Sequence, residues 1–196
     1  MTHHDHGNLV GRAVSLIRDE FTDAEQPRYW PRQQPRVVGK HAPEAIFVHA
    51  DTFDEDEIAI EDAIVHAFIA VTDEDVLFRV NDEDDLGFPT IDDIENVPAN
   101  YRWLVLPDNI CSEDDSLLES LREECSSRGV GLILCYADED YDEIFSLAEP
   151  ESGAFLSAYG DVDEIMDALS KQADRYSDME EYESEYGNFD YYNENG

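Results

Sequence analysis

The sequence predicts an α/β fold, with a single domain in which a mixed β-sheet carries helices on its faces. Two continuous apolar runs, "YRWLVLP" (101–107) and "VGLILCYA" (130–137), are typical of strands that are buried on both faces. Between them, "SEDDSLLESLREECSSRG" (112–129) has leucines at helical spacing, with Ser112 as the cap and Gly129 as the stop. A strand, a helix and a strand joined by short links form a parallel crossover unit, which requires a sheet with helices packed on it.

The length of the chain supports one hydrophobic core. It has 196 residues, 42% of them hydrophobic, which suits one globular domain and excludes disorder throughout. We place the domain at residues 8–175, after a flexible N-terminus (1–7). The last part of the domain, "AFLSAYGDVDEIMDALSKQ" (154–172), predicts a short extended piece and a final helix. The remaining residues, 176–196, mix seven acids with six aromatic residues without an apolar period, so we expect a disordered acidic tail.

The first element is a helix over "NLVGRAVSLIRDEF" (8–21), with Asn8 as its expected cap. Its apolar residues recur at helical spacing, which predicts one buried face. That face consists of Val10, Ala13, Val14, Ile17 and Phe21.

The next segment, "QPRYWPRQQPRVVGKHAP" (26–43), contains no Asp or Glu, although the chain carries 49 acids and 12 bases. Prolines precede three of its arginines, and proline at this density breaks helices, so we expect an irregular basic arm on the surface. We favour an arm that folds over the domain and pairs its arginines with nearby carboxylates. The alternative is an arm that binds nucleic acid or an acidic protein through Arg28, Tyr29, Trp30, Arg32, Arg36 and Lys40.

Three strands are predicted between the basic arm and the crossover unit. They are "EAIFVHAD" (44–51), "EIAIEDAIVHAFIAV" (57–71) and "VLFRV" (76–80), which are rich in β-branched and aromatic residues. The turn "TDED" (72–75) predicts that the last two form a hairpin. Residues 81–100 are expected to be a loop with one short helix.

Two histidines, His49 and His66, lie in these predicted strands. A histidine in such a place is more often neutral and hydrogen-bonded than a metal ligand or a base, so we assign neither a catalytic role. His3, His4 and His6 are interpreted as part of the flexible start of the chain.

The formal charge of −37 indicates the habitat of the protein. Like charges repel over a Debye length of about 10 Å at 0.1 M salt but of about 3 Å at 1 M, so concentrated salt relieves the repulsion. An excess of acids with only two lysines, Lys40 and Lys171, resembles the salt-adapted proteins of haloarchaea. We therefore expect a halophilic protein, in which global charge says little about partners.

The sequence also lacks the motifs that are typical of several other classes of protein. No run of 18 apolar residues and no basic-then-apolar N-terminus occurs, so we predict a cytoplasmic protein without a membrane partner. The three cysteines, Cys111, Cys125 and Cys135, form no C-x-x-C, which argues against disulfides and zinc, and we expect them to be buried apolar residues. Phosphate-binding loops, the G-x-S-x-G elbow and the H-E-x-x-H helix are missing, so nucleotide binding, serine hydrolysis and zinc proteolysis have no support.

Acids at the ends of the early strands carry a resemblance to a known family. Glu44 opens a strand, Asp51 closes it, and Glu57 and Glu61 begin the next. With the crossover unit that follows, residues 8–136 resemble the PD-(D/E)XK restriction-endonuclease-like superfamily. The resemblance implies that Glu44 and either Glu57 or Glu61 hold a divalent metal, Mg²⁺, that activates water for attack on a phosphate.

The sequence departs from this family at the lysine of its motif. Ala59 or Ala63 takes the place of that lysine, and no lysine occurs between Lys40 and Lys171. The resemblance therefore implies the fold more than the activity.

These observations favour a non-catalytic interaction or accessory protein without metal or cofactor. It presents the basic arm and the acidic tail to its partner, which is a protein or a nucleic acid that contacts the basic arm. A metal-dependent nuclease using Glu44, Asp51 and Glu57 or Glu61 is one alternative. The other is a small-molecule site at the strand ends near Pro107 and Cys111, for which topology is the only argument.

Overall fold

A computed structural model gives the fold of the chain and confirms a single α/β domain with a mixed sheet and flanking helices. The residues that the structure describes are 6–22, 29–33, 42–50, 62–73, 77, 79–81, 85–111, 115–137, 141–167 and 169. The predicted tail (176–196) and Ser112, the expected cap, lie outside them.

The elements follow one another as strands interrupted by three longer helices. The helices are α1 (His6–Phe21), α2 (Pro89–Glu95) and α3 (Asp115–Ser127), with 3₁₀ turns at Asp108–Cys111 and Leu156–Ala158 and a helical stretch at 162–167. The strands are β1 (Tyr29–Gln33), β2 (Ala45–Ala50), β3 (Ala63–Ala70), β4 (Arg79–Asn81), β5 (Asp85–Gly87), β6 (Tyr101–Pro107), β7 (Val130–Cys135) and β8 (Glu143–Ser146).

Six of the strands form one sheet in the order β1-β2-β3-β6-β7-β8. The centre is parallel, because β3 pairs with β6 and β6 pairs with β7 in the same direction. The outer strands β1, β2 and β8 run antiparallel to their neighbours. The strand–helix–strand unit read from the sequence is therefore confirmed as β6-α3-β7.

One face of the sheet is covered by α1. Its buried side chains, Leu9, Val10, Ala13 and Ile17, pack on a layer that includes Trp103. The prediction of Asn8 as the cap is wrong, because α1 begins two residues earlier, at His6, which places Asn8 inside the first turn.

The opposite face is covered by α2, α3 and the C-terminal helical stretch. Leu121 and Cys125 of α3 are fully buried there, and α3 ends before Gly129, whose φ of 67° suits glycine and stops the helix as predicted. Cys125 and Cys135 are free and buried, as expected. No helix in the described ranges is both long and apolar enough to cross a membrane.

The predicted hairpin between 57–71 and 76–80 is wrong. β3 has β2 on one side and β6 on the other, so neither of its edges is open to a further strand. β4 instead pairs with β5 in a separate two-stranded sheet. The expected short helix within 81–100 is present as α2.

Two further corrections concern the end of the chain. β8 was not predicted, and the expected extended piece near 154–160 contains the 3₁₀ turn Leu156–Ala158 instead. This turn brings Tyr159 to the segment between α2 and β6, where its hydroxyl donates to the Pro98 carbonyl oxygen at 2.5 Å. The final helix is confirmed at 162–167.

Candidate functional site

The basic arm contains the outermost strand on one side of the sheet. Tyr29–Gln33 pairs with β2 along its whole length, with Trp30 opposite Val48 and Arg32 opposite Ile46. The prediction of irregular backbone is therefore wrong for these five residues. Pro31 is compatible with a strand at this place, because an edge strand needs hydrogen-bond partners on one side only. The other predicted contacts, Arg28, Arg36 and Lys40, lie outside the described residues.

Of the four acids that the sequence analysis proposed as metal ligands, the structure describes one, Glu44. Glu44 immediately precedes β2, and its backbone N–H donates to the Phe68 carbonyl oxygen at 2.9 Å, next to the carboxyl end of β3. Asp51, Glu57 and Glu61 lie outside the described residues, so their convergence with Glu44 stays a prediction. In the part of the chain that the structure describes, no three His, Cys, Asp or Glu side chains group as metal ligands.

An ion pair joins α1 to the segment after β7 at the carboxyl edge of the parallel strands. The Arg12 guanidinium donates two hydrogen bonds to the Asp142 carboxylate, one of them from Nε at 2.8 Å, and a third from Nη2 to the Tyr136 carbonyl oxygen at 2.6 Å. The two charged side chains are only 10% and 9% exposed. The paired charges and the planar guanidinium donors fix α1 against the segment after β7, and we call this ion pair the Arg12–Asp142 clamp.

The strand ends near Pro107 and Cys111 were the place of the predicted small-molecule site. Pro107 is buried, and the chain continues as the 3₁₀ turn Asp108–Cys111. The nearby thiol of Cys135 is not a nucleophile, because burial and the Asp142 charge raise its pKa to about 12, against the opposing effect of Arg12. Among the described parallel strands the order does not reverse, so the crevice of a switch point does not form between them, and this site stays a prediction.

Two histidines form a buried pair on the α1 face of the sheet. The Nε2 atoms of His49 (β2) and His66 (β3) are 3.1 Å apart, and the side chains are 4% and 0% exposed. The residues are 17 positions apart in the chain, and the antiparallel register of β2 and β3 brings them together diagonally on one face. The sequence showed each histidine in an apolar strand but not that they would meet.

Trp103 determines which nitrogens of the histidine pair carry protons. Its indole Nε1–H donates to His66 Nδ1 at 3.1 Å, so Nδ1 must be unprotonated. The neutral His66 ring therefore carries its hydrogen on Nε2 and donates it to His49 Nε2. His49 in turn carries its hydrogen on Nδ1. The result is a directed chain, Trp103 to His66 to His49.

Aromatic rings enclose this chain. Tyr101 stacks on His66 with a centroid distance of 4.7 Å and an interplanar angle of 12°, and Phe21, the last residue of α1, meets His66 edge-on at 4.8 Å. Phe47 contacts both histidines. In this apolar setting the pKa of His66 is well below its usual value near 6.5, because burial disfavours the charged ring and a charge on His49 would repel it. The prediction of a neutral, hydrogen-bonded histidine is thus confirmed for His66.

This pKa makes the stability of the fold depend on pH. An unfolded histidine titrates near 6.5, so below that pH the unfolded chain binds a proton that folded His66 does not. We expect the contribution of His66 to be complete above pH 6.5 and to fall by up to about 1.4 kcal/mol per pH unit as the pH decreases toward the folded-state pKa. Urea unfolding in 3 M potassium chloride between pH 8 and 5.5 measures this, and the loss should be smaller in His66→Gln. Equal slopes in both proteins would contradict the assignment.

A cavity of about 500 Å³ opens at the amino edge of the parallel strands. Its lining consists of Ile64, Asn100, Tyr101 and residues 150–154. The Asn100 side chain is fully used in holding this lining together, since it accepts from the Val65 N–H at 2.8 Å and donates to the carbonyl oxygens of Glu151 and Gly153, each at 3.0 Å. Tyr101 borders the cavity and stacks on His66, so the histidine pair lies one ring behind its wall.

Arg102, the residue after Tyr101, also fixes the loop of residues 150–154 that lines the cavity. Arg102, only 9% exposed, donates from Nε to the Val97 carbonyl oxygen at 2.7 Å and from Nη2 to the Glu151 carboxylate at 2.5 Å. The Asn100 amide and the Glu151 carboxylate are thus used by the fold, and the rest of the lining consists of Ile64, Tyr101, Pro150, Ser152, Gly153 and Ala154. Its described lining thus supplies contacts for a ligand but no activated nucleophile.

The comparisons with known proteins return no match. No protein-family model matches the chain, and neither a curated protein nor a solved structure does. Function is therefore argued from the residues of this chain.

Proposed function

We infer that the protein is a non-catalytic interaction protein of a salt-rich cytoplasm that binds an anionic partner along the edge of its sheet at β1. The observation that carries this proposal is the place of the basic arm. In a chain of net charge −37, the one stretch with four bases and no acid includes the outermost strand of the sheet.

The charge pattern supports an anionic partner. Carboxylates elsewhere on the surface repel phosphates or acidic side chains, so an anion meets least repulsion at residues 26–43. Arginine favours such a contact because its planar fork of donors matches phosphate and carboxylate oxygens. Tyr29 and Trp30 add rings that can stack on bases, which favours single-stranded nucleic acid over an acidic protein.

The backbone of β1 supports the same surface. β1 pairs with β2 on one side, and within the described sheet no strand lies on its other side. An edge strand presents backbone donors and acceptors to a partner. A rigid sheet thereby holds the centre of the basic arm in an extended form, which lowers the entropy that binding would cost.

The chemistry of the described core supports binding over catalysis. The histidine pair and Trp103 are bonded to one another, Arg12 is bonded to Asp142, and the Cys135 thiol is protonated. These side chains stabilise the fold rather than act on a substrate. The nuclease alternative depends on Glu44 with Asp51, Glu57 or Glu61, and on a metal-assisted step for which the family's lysine is missing.

We expect Arg32→Ala/Arg36→Ala to weaken binding of a fluorescent single-stranded DNA, measured by anisotropy between 0.5 and 3 M potassium chloride. Each lost phosphate contact should also reduce the salt slope by about 0.7. The matched control is Arg18→Ala/Arg122→Ala, which removes two partly exposed charges from α1 and α3. A poly-glutamate competitor tests the acidic-protein partner.

Three outcomes would contradict the proposal. One is an equal loss of binding in the two double variants, which would make the contact a non-specific charge effect. Another is stronger binding of poly-glutamate than of DNA, which would make the partner a protein. The third is metal-dependent cleavage that Glu44→Ala abolishes, which would promote the nuclease alternative.

A further inference from the structure

The histidine pair has no part in the proposed binding surface, although a buried pair of titratable rings is costly to keep in a core. It lies under the last turn of α1. The ring centroid of Phe21 is 4.8 Å from His66, 5.3 Å from Tyr101 and 6.3 Å from His49. The C-terminal end of α1 therefore packs on this pair, whereas the N-terminal half is held by Arg12 and by Leu9, Val10 and Ala13.

Most hydrogen-bonded histidine pairs can share one added proton, since one ring donates and the other accepts. This pair cannot do so without losing its bond to Trp103. If His66 takes the proton, Nδ1–H points at the indole N–H, and two donors face each other. If His49 takes it, its Nε2–H needs an acceptor on His66 Nε2, which moves the hydrogen of His66 to Nδ1 and produces the same opposition.

Among the rings described around His66, none offers an acceptor to the extra hydrogen. Phe21 of α1 and Phe47 of β2 have no hydrogen-bonding atoms. Tyr101 of β6 is the titratable group among these rings, and it presents its ring face to His66. Tyr29 of β1 lies opposite His49 in the strand register. A proton on the pair thus leaves a buried cation with one broken hydrogen bond.

We propose that the histidine pair is an acid-sensitive latch for α1: uptake of one proton breaks the bond between His66 and Trp103 and releases the C-terminal half of the helix from the sheet. The Arg12–Asp142 clamp keeps the N-terminal half in place, so the change is local. It opens the α1 face beside Tyr101 and the cavity that Tyr101 borders.

Hydrogen exchange of the full chain in 3 M potassium chloride, at pH 7.5 and 5.5, tests the latch. After correction for the intrinsic effect of pH, we expect protection of residues 14–21 to fall at least tenfold at pH 5.5. Protection of α3 should fall only as far as the global free energy of unfolding does, because α3 packs on the opposite face. In His49→Gln/His66→Gln the difference should vanish, since the glutamine amides reproduce the acceptor for Trp103 and the donor toward position 49 without titrating.

Two results would overturn the proposal: equal protection of residues 14–21 and of α3 at pH 5.5, which means that both exchange through global unfolding, or the same local loss in the double glutamine variant. A second measurement does not need that variant to fold. In Trp30→Phe, Trp103 is the single tryptophan, and its emission should shift to longer wavelength as the pH decreases below the folded-state pKa of His66, which lies well below 6.5. An emission maximum that stays constant from pH 7.5 down to the pH at which α3 also unfolds would overturn it as well.

Discussion

In 3 M potassium chloride the protein should give the circular dichroism spectrum of an α/β fold, and in 0.1 M it should give that of a largely unfolded chain. The reason is the density of carboxylates: 49 acids and 12 bases occupy a 22.3 kDa chain. At 0.1 M salt the Debye length of about 10 Å lets each exposed carboxylate repel several neighbours, and at 1 M it is about 3 Å. Net stabilities of roughly 5–15 kcal/mol do not withstand such repulsion unscreened.

The control for this effect is a chain without residues 177–196, which carry seven acids and no base. It should fold at a lower potassium chloride concentration than the full chain, because it has less charge to screen. A full chain that is equally folded at both salt concentrations would contradict the halophilic interpretation. A truncated chain that needs more salt would show instead that the tail stabilises the domain.

Replacement of Gly131 by alanine should lower the free energy of unfolding by about 3 kcal/mol, because a Cβ at this place in β7 has no room. It would overlap Cε3 and Cζ3 of the Trp103 ring and lie 2.9 Å from the backbone nitrogen of Ala148. Overpacking of a core costs about 1–3 kcal/mol. The indole is fully buried, so a displacement of the ring also strains its bond to His66, and an unmade buried hydrogen bond costs about 1–3 kcal/mol more.

Gly11→Ala is the matched control for this substitution. Gly11 lies in α1, and no described atom lies within 4 Å of the position that an alanine Cβ would take, so alanine should stabilise the helix there by roughly 1 kcal/mol. Urea unfolding in 3 M potassium chloride measures both changes. Similar stabilities for the two variants would show that Trp103 does not depend on the space above Gly131.

Local sequence patterns were sufficient to predict the elements whose buried residues are consecutive in the chain or recur at a fixed spacing. β6 and β7 were predicted because each is apolar at nearly every residue, and α3 because its leucines recur at helical spacing. The parallel relation of β6 and β7 followed as well, since a helical crossover between adjacent strands allows little else.

The prediction of strand pairing was wrong where the pairing depended on strands that are distant in the chain. The hairpin of β3 with "VLFRV" was excluded by β6, which follows later in the chain, at Tyr101–Pro107, and takes the open edge of β3. β1 was interpreted as irregular because three prolines break local structure, yet the edge of β2 accepts a strand that contains Pro31.

By itself, the sequence determined the α/β class, the central crossover unit, the acidic character and the location of the basic arm, because each depends on composition or on neighbours in the chain. Tertiary structure alone decided the histidine pair and its bond to Trp103. His49, His66 and Trp103 meet only through the registers of β2, β3 and β6, and the indole lies flat only because Gly131 stands beside it on β7. A hydrogen bond acts over about 3 Å, and closeness of that order between strands is set by pairing across the sheet, which no local pattern specifies.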